Sequence, residues 1–215
     1  MIREFGEGEN AMTLWIDKGG PGPGVNLTLI GRPVRSPYGG GIFGGQTHSQ
    51  SPESLFTHIA GLKVVIPSNP YDAKGLLTAA IEDDDPVIFF EPMSRYWPKA
   101  DVDTSASNFP LHASRVVRPG NDVTVIGHGA MVSVLLQAAE VAATEGMSLE
   151  VIDVRSLSPI DYAPILESVR KTGRCVIAQE APGNVSLASE LAATITEKAF
   201  YSLEAPVLRV TGFDT

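Results

Sequence analysis

Cysteine is almost missing from this chain: Cys175 stands alone among 215 residues, so no internal disulfide forms. It sits in the apolar run Cys175-Val176-Ile177-Ala178, which predicts a buried strand thiol and no reactive one. Basic clusters are missing too. Sixteen Lys plus Arg face 25 Asp plus Glu, a net charge of −9, and no positive patch interrupts the chain to meet a phosphate backbone. Nucleic acid is therefore excluded as a partner. No apolar run approaches the roughly 20 residues that a bilayer span requires, and the opening MIREFGEGEN is charged where a signal peptide is apolar. The expectation is a protein with no membrane association and a cytoplasmic location.

What is present suits a globular fold: 43% of residues are hydrophobic and 19% charged, enough for one large or two modest cores. Residues 1–24 carry no sustained period and end in Gly19-Gly20-Pro21-Gly22-Pro23-Gly24, which predicts a poorly ordered lead. Val25 to Ile30 reads as a strand, and Ser36-Pro37-Tyr38-Gly39-Gly40-Gly41-Ile42-Phe43-Gly44-Gly45 as a glycine-rich functional loop. A short helix opens at Ser51-Pro52-Glu53, a buried strand spans Leu62 to Ile66, a helix runs from Asn69-Pro70 through Ile81, and Val87 to Phe90 is another strand. Strands that are apolar throughout and alternate with helices mark a parallel sheet covered on both faces.

Between Glu91 and Pro119 the periodicity lapses in a Pro- and Ser-containing stretch, which reads as a crossing between domains. A second α/β unit follows. Its strands are expected at Val123–Ile126, Leu149–Val154, Cys175–Ala178 and Pro206–Val210, and its helices at Ala130–Thr144, Asp161–Lys171 and Ser186–Phe200. In the first of these helices, Met131, Val134, Leu135, Ala138 and Val141 recur at helical spacing and are expected to form its core face.

Three segments offer chemistry. His48, in Gln46-Thr47-His48-Ser49-Gln50-Ser51, follows a glycine run that lets backbone approach a ligand, and imidazole exchanges protons near neutrality. From spacing alone, a loop histidine beside serines and a glutamine is more often simply solvated. The run Glu82-Asp83-Asp84-Asp85 has the residue types of a divalent-metal site, but consecutive carboxylates at a helix end read more simply as a solvated turn. Gly127-His128-Gly129-Ala130-Met131-Val132, with Asp153 ending the next strand, imitates a dinucleotide fingerprint. Its third glycine position is Val132, so His128 is expected to cap the turn.

Several longer motifs stand in register: Arg35-Ser36-Pro37-Tyr38-Gly39-Gly40-Gly41, His48-Ser49-Gln50-Ser51-Pro52-Glu53, Gly61-Leu62-Lys63-Val64-Val65-Ile66-Pro67, Tyr71-Asp72-Ala73-Lys74-Gly75-Leu76-Leu77 and Asp85-Pro86-Val87-Ile88-Phe89-Phe90-Glu91-Pro92. With Asp153-Val154-Arg155-Ser156-Leu157-Ser158-Pro159 and Leu208-Arg209-Val210-Thr211-Gly212, they resemble the beta subunit of pyruvate or branched-chain 2-oxo acid dehydrogenases from about Val34 to Thr215. The resemblance implies an α/β fold: a truncated transketolase-like pyrimidine-binding domain at 34–95, a linker at 96–119 and a doubly wound transketolase C-terminal-type domain at 120–215, after an atypical lead at 1–33. It implies thiamine diphosphate shared with an alpha subunit that also holds magnesium, and a heterotetramer with a second beta subunit. A lipoyl-bearing acyltransferase would take the acyl product.

By the same resemblance, His48 lines the active-site funnel as proton donor to the substrate or the lipoyl arm. The family's ring-polarising glutamate and aromatic platform precede the matched part, and Glu4, Glu7 and Glu9 do not look like them, so the chain alone is expected to be inactive and to supply no cofactor ligand. Some family members hold a structural potassium ion; the matching positions are Ala80, Asp83 and Asp85, although Gly31-Arg32-Pro33 departs from the usual pattern beside it. Glu91 to Ala100 looks more like the branched-chain subgroup. Three readings result: an enzyme subunit, a catalytically incomplete assembly module, and an unrelated nucleotide binder using Gly127 and Gly129.

Overall fold

A computed structural model describes residues 33–103 and 109–213 in full, together with the backbone of three earlier strands. Those strands are β1 (Ile2–Phe5), β2 (Met12–Ile16) and β3 (Val25–Thr28), paired antiparallel in sequence order. Met12-Thr13-Leu14-Trp15-Ile16 is rich in strand-forming residues, and each of its neighbours pairs with it locally.

A four-stranded sheet follows, in the order β10-β5-β6-β4, from β4 (Val34–Tyr38), β5 (Lys63–Val65), β6 (Val87–Pro92) and β10 (Ser156–Ser158). Strands β4, β6 and β5 run parallel, and β10 pairs antiparallel with β5. Both faces of β6 are covered. Val87 and Phe89 pack with Leu76 and Ala80 of α2 (Pro70–Glu82), whereas Ile88 and Phe90 point into the main core. Helix α2 starts where Asn69 accepts a hydrogen bond from Asp72 N–H at 2.9 Å and Pro70 occupies the first turn. The short helix α1 is Glu53–Thr57.

The second sheet has the order β12-β11-β8-β9-β7, from β7 (Arg115–Arg118), β8 (Val123–Gly127), β9 (Leu149–Asp153), β11 (Cys175–Pro182) and β12 (Leu208–Gly212). All are parallel except the edge strand β7. Helix α3 (Ala130–Thr144) covers one face, and α4 (Tyr162–Thr172) and α5 (Leu187–Ala199) pack together beyond the other. Asp161 caps the start of α4 and Gly173, with φ of 68°, its end; Ser186 caps α5. Cys175 is buried, and that burial pushes its thiol up to about 12, the inert strand thiol expected.

The face of α3 differs from the sequence expectation. Leu135 packs inward with Met131, but the buried line continues through Val132, Ala139 and Ala142, leaving Val134 and Val141 exposed. This helix is apolar nearly all round, so period alone does not choose its face. Contact with β8 chooses it: a side chain at Gly127 would lie 2.8 Å from Leu135 Cδ1.

The two halves share one core. Tyr38, Ile66, Ile88 and Phe90 join Ile126, Ile152, Leu157, Ile165, Leu191 and Ile195 in a single buried cluster. β10 stitches the junction, since it follows β9 of the second sheet yet pairs with β5 of the first. Beside it, Asp153 accepts hydrogen bonds from Ser68 Oγ and from Arg155 N–H, and Asn69 Nδ2 donates to Asp72 at 2.7 Å. The stretch expected as a linker also contributes: Leu111 is buried against Val65 and Phe89, and residues 115–118 form β7.

Candidate active site

His48 ends a 3-10 turn, Gln46–His48, just after the glycine-rich loop, and is exposed. The turn is held by His48 N–H donating to Gly45 O at 3.2 Å and by Gln50 Nε2 donating to Gln46 O at 3.0 Å. The loop is anchored at its base, where Gly39 N–H donates to Gln50 O at 2.8 Å. Two positions there require glycine. Gly39 has φ of 77° and a Cβ on it would lie 2.7 Å from Glu180 Oε2; Gly41 has φ of 86° and its Cβ would meet Ser94 Cβ at 2.9 Å. Between these anchors and His48, the loop leaves Phe43 fully exposed, with its backbone at φ of 58°.

Beneath the loop lies a buried polar cluster that neither motif nor spacing singled out. Tyr38 OH donates to Glu53 Oε2 at 3.0 Å and approaches His128 Nε2 at 3.4 Å, and His128 Nε2 lies 3.8 Å from Glu53 Oε1. All three side chains are buried. Burial, with the Glu53 carboxylate alongside, holds the Tyr38 phenol well above its ordinary range. Glu180 completes the group by accepting from Gly40 N–H at 3.4 Å, and burial raises its carboxyl. The cluster thus joins β4 and α1 to the turn after β8 and to β11, and it holds the base of the His48 loop from both halves.

His128 therefore does not cap its turn with its ring. The turn closes through the main chain, Met131 N–H donating to His128 O at 3.2 Å, while the ring points into the cluster. The glycines around it serve packing: Gly129, at φ of 55°, would place a Cβ 2.7 Å from Ile66 Cδ1, and Val132 is buried where a fingerprint needs glycine. Asp153 faces Ser68 and the Arg155 main chain, not a ribose.

The acidic helix end is occupied from within. Lys63 Nζ donates to Asp83 at 2.7 and 2.8 Å and lies 2.9 Å from Asp85 Oδ2, and Asp85 N–H donates to Asp83 Oδ1 at 2.8 Å. With that ammonium in place, the side-chain oxygens of Asp83 and Asp85 are already paired, and Ala80 is buried on the inner face of α2. Among the described residues, no group of three or more His, Cys, Asp or Glu is placed to hold a metal. Glu53 likewise does not fit the task of polarising a cofactor ring, because it is wholly covered and turned towards Tyr38 and His128. Glu4 lies in β1 and its side chain, with Glu7 and Glu9, falls outside the described residues.

Comparison with known proteins places this arrangement. A family model for the transketolase pyrimidine-binding domain matches residues 25–98, and one for the transketolase C-terminal domain matches 112–215. A solved chain described as a split-gene transketolase, inactive beta4 tetramer, matches with a TM-score of 0.69 and 26% identity, over 85% of this chain and 58% of that one. The class is a two-domain transketolase-like α/β chain.

Within that class, the pyruvate dehydrogenase E1 component subunit beta of Leifsonia xyli is 63% identical over 182 residues, 85% of this chain and 54% of its own length. The 2-oxoisovalerate dehydrogenase subunit beta of Pseudomonas aeruginosa is 49% identical over 204 residues, covering 87% and 57%, and its mitochondrial counterpart in Dictyostelium discoideum is 52% identical over 184 residues, covering 85% and 50%. This chain belongs to the family of 2-oxo acid dehydrogenase E1 beta subunits. It spans about half the length of the curated relatives it matches. No helix among the described residues is long and apolar enough to cross a membrane.

Proposed function

We propose that this chain acts in the cytoplasm as the beta subunit of a thiamine-diphosphate-dependent decarboxylase, joined to an alpha subunit and a second beta subunit, that passes the acyl group of a branched-chain 2-oxo acid to a lipoyl-bearing acyltransferase. The observation that carries this reading is the exposed His48 at the end of a loop anchored on the Tyr38–Glu53–His128–Glu180 cluster. A keto carbon under attack and a disulfide accepting an acyl group both gather negative charge, and a proton donated by an imidazole at the mouth relieves it. Its exposure leaves the ring reachable by a partner's arm.

Two alternatives each rest on a specific observation. The 63% identical relative is named for pyruvate, which favours that acid, whereas Glu91 to Ala100 resembles the branched-chain subgroup. The covered position of Glu53 favours an assembly module that associates without catalysing. Reconstitution with a cognate alpha subunit and acyltransferase separates them: turnover is measured on 3-methyl-2-oxobutanoate and on pyruvate, with His48→Ala beside the parent chain. The expected result is turnover that prefers the branched acid and falls about 10²- to 10⁴-fold in the variant, with thermal stability unchanged. Preference for pyruvate selects the other acid, and association without turnover selects the assembly module.

A further inference from the structure

We infer that the cavity between the two halves binds a small organic phosphate, at a site separate from His48. It is an open cleft of about 750 Å³, inside the range of roughly 300–1,000 Å³ usual for small-molecule sites. Three guanidinium groups line it from three different elements: Arg95 from the turn after β6, Arg115 from β7, and Arg155 from the connection between β9 and β10.

Two of these arginines have donors left unmade. Arg155 is only 4% exposed, yet its Nε and Nη2 have no hydrogen-bond partner, and the buried Nε of Arg95 has none either. A buried guanidinium in that state is costly unless an acceptor completes it. The nearest carboxylate does not do so: Asp72 Oδ1 stands 3.5 Å from Arg155 Nη2 without closing a hydrogen bond. Asp72 also offers one negative charge against three positive ones. The other buried acid nearby, Asp153, turns its oxygens to Ser68 and to the Arg155 main chain.

The donors are also fixed in advance. The Arg155 guanidinium lies 4.4 Å over the Phe109 ring, and Arg95 Nη1 donates to Ser133 Oγ at 3.3 Å. Guanidinium groups lining one cavity from three elements suit a dianionic head with three peripheral oxygens better than a carboxylate with one charge and two. Val117, Val132 and Leu136 supply an apolar wall, so an organic body is expected on that head.

Calorimetric titration of the full chain with phenyl phosphate, inorganic phosphate and benzoate tests this. Arg115→Ala and Arg95→Gln are the variants, Arg115 being exposed on an edge strand where truncation spares the core; His48→Ala is the control. The expected result is one saturable site for phenyl phosphate, tighter than for inorganic phosphate or benzoate. Binding should weaken about 10- to 100-fold in each arginine variant, as loss of a charge-assisted hydrogen bond implies, and stay unchanged in His48→Ala. Absence of saturable heat at about 10 mM ligand, binding unaltered in both arginine variants, or benzoate binding as tightly as phenyl phosphate would overturn it. Turnover plays no part in the readout, so failure here leaves the reading of His48 standing, and failure of that reading leaves this one standing.

Discussion

Asp153→Asn should remove a block of pH-dependent instability. Asp153 is wholly buried at the end of β9, and burial pushes its carboxyl from 3.8 up to about 7, against the opposing hydrogen bond from Ser68. The folded chain therefore keeps a proton that the unfolded chain has released. Stability from this group is fully present below about pH 4, declines as pH rises, and is lost by about pH 7, above which both states are ionised. A shift of about three units at about 1.4 kcal/mol per unit amounts to about 4 kcal/mol across that window. Asparagine reproduces the protonated form: its oxygen accepts from Arg155 N–H, now at 3.1 Å from Oδ1, and its amide donates to Ser68 Oγ. Urea denaturation of parent and variant at several pH values between 4 and 8 isolates the effect, because groups remote from Asp153 titrate alike in both. The variant should gain on the parent by about 1.4 kcal/mol per pH unit through the window and then level off. Parallel stability curves would refute the reasoning and show that Asp153 is ionised in the fold throughout.

The remaining predictions concern the junction around His128. Tyr38→Phe removes the hydroxyl that satisfies the buried Glu53 carboxylate, and should lower stability to urea by about 1–3 kcal/mol; a loss under about 0.5 kcal/mol would mean that the carboxylate finds another donor. Gly129→Ala places a methyl 2.7 Å from Ile66 Cδ1 at a backbone φ of 55°. It should cost more than Gly146→Ala, where φ is 83° but the space is open, with the backbone share being about 1 kcal/mol or more in each. Equal melting temperatures for the two variants would show that Ile66 moves aside freely.

How much of this was legible depended on where each signal resides. Strands β5, β6, β8 and β9 are covered on both faces, so each announces itself as a mostly apolar run, and helices α2, α4 and α5 carry caps at Asn69, Asp161 and Ser186. Strands β7 and β10 carry no such mark. Arg115-Val116-Val117-Arg118 and Ser156-Leu157-Ser158 are strands because β9 and β5 offer open edges beside them, a tertiary cause that no local window contains. The face of α3 was hidden for the opposite reason, since its sequence offers apolar stripes on more than one side and only the approach of Gly127 selects among them. His48 stood out by its glycine run. Its support did not: Tyr38 and Glu53 are 15 residues apart and His128 is 90 residues from Tyr38, so only the shared core brings them together. That support has a mechanical consequence. Glu180 and His128 belong to the second half and hold Gly40 and Tyr38 of the first, while β10 locks the same two halves through β5. The loop bearing His48 is thus positioned by both halves at once, and a change at their junction, whether a ligand among Arg95, Arg115 and Arg155 or a charge on Asp153, acts on the same scaffold that sets where His48 stands.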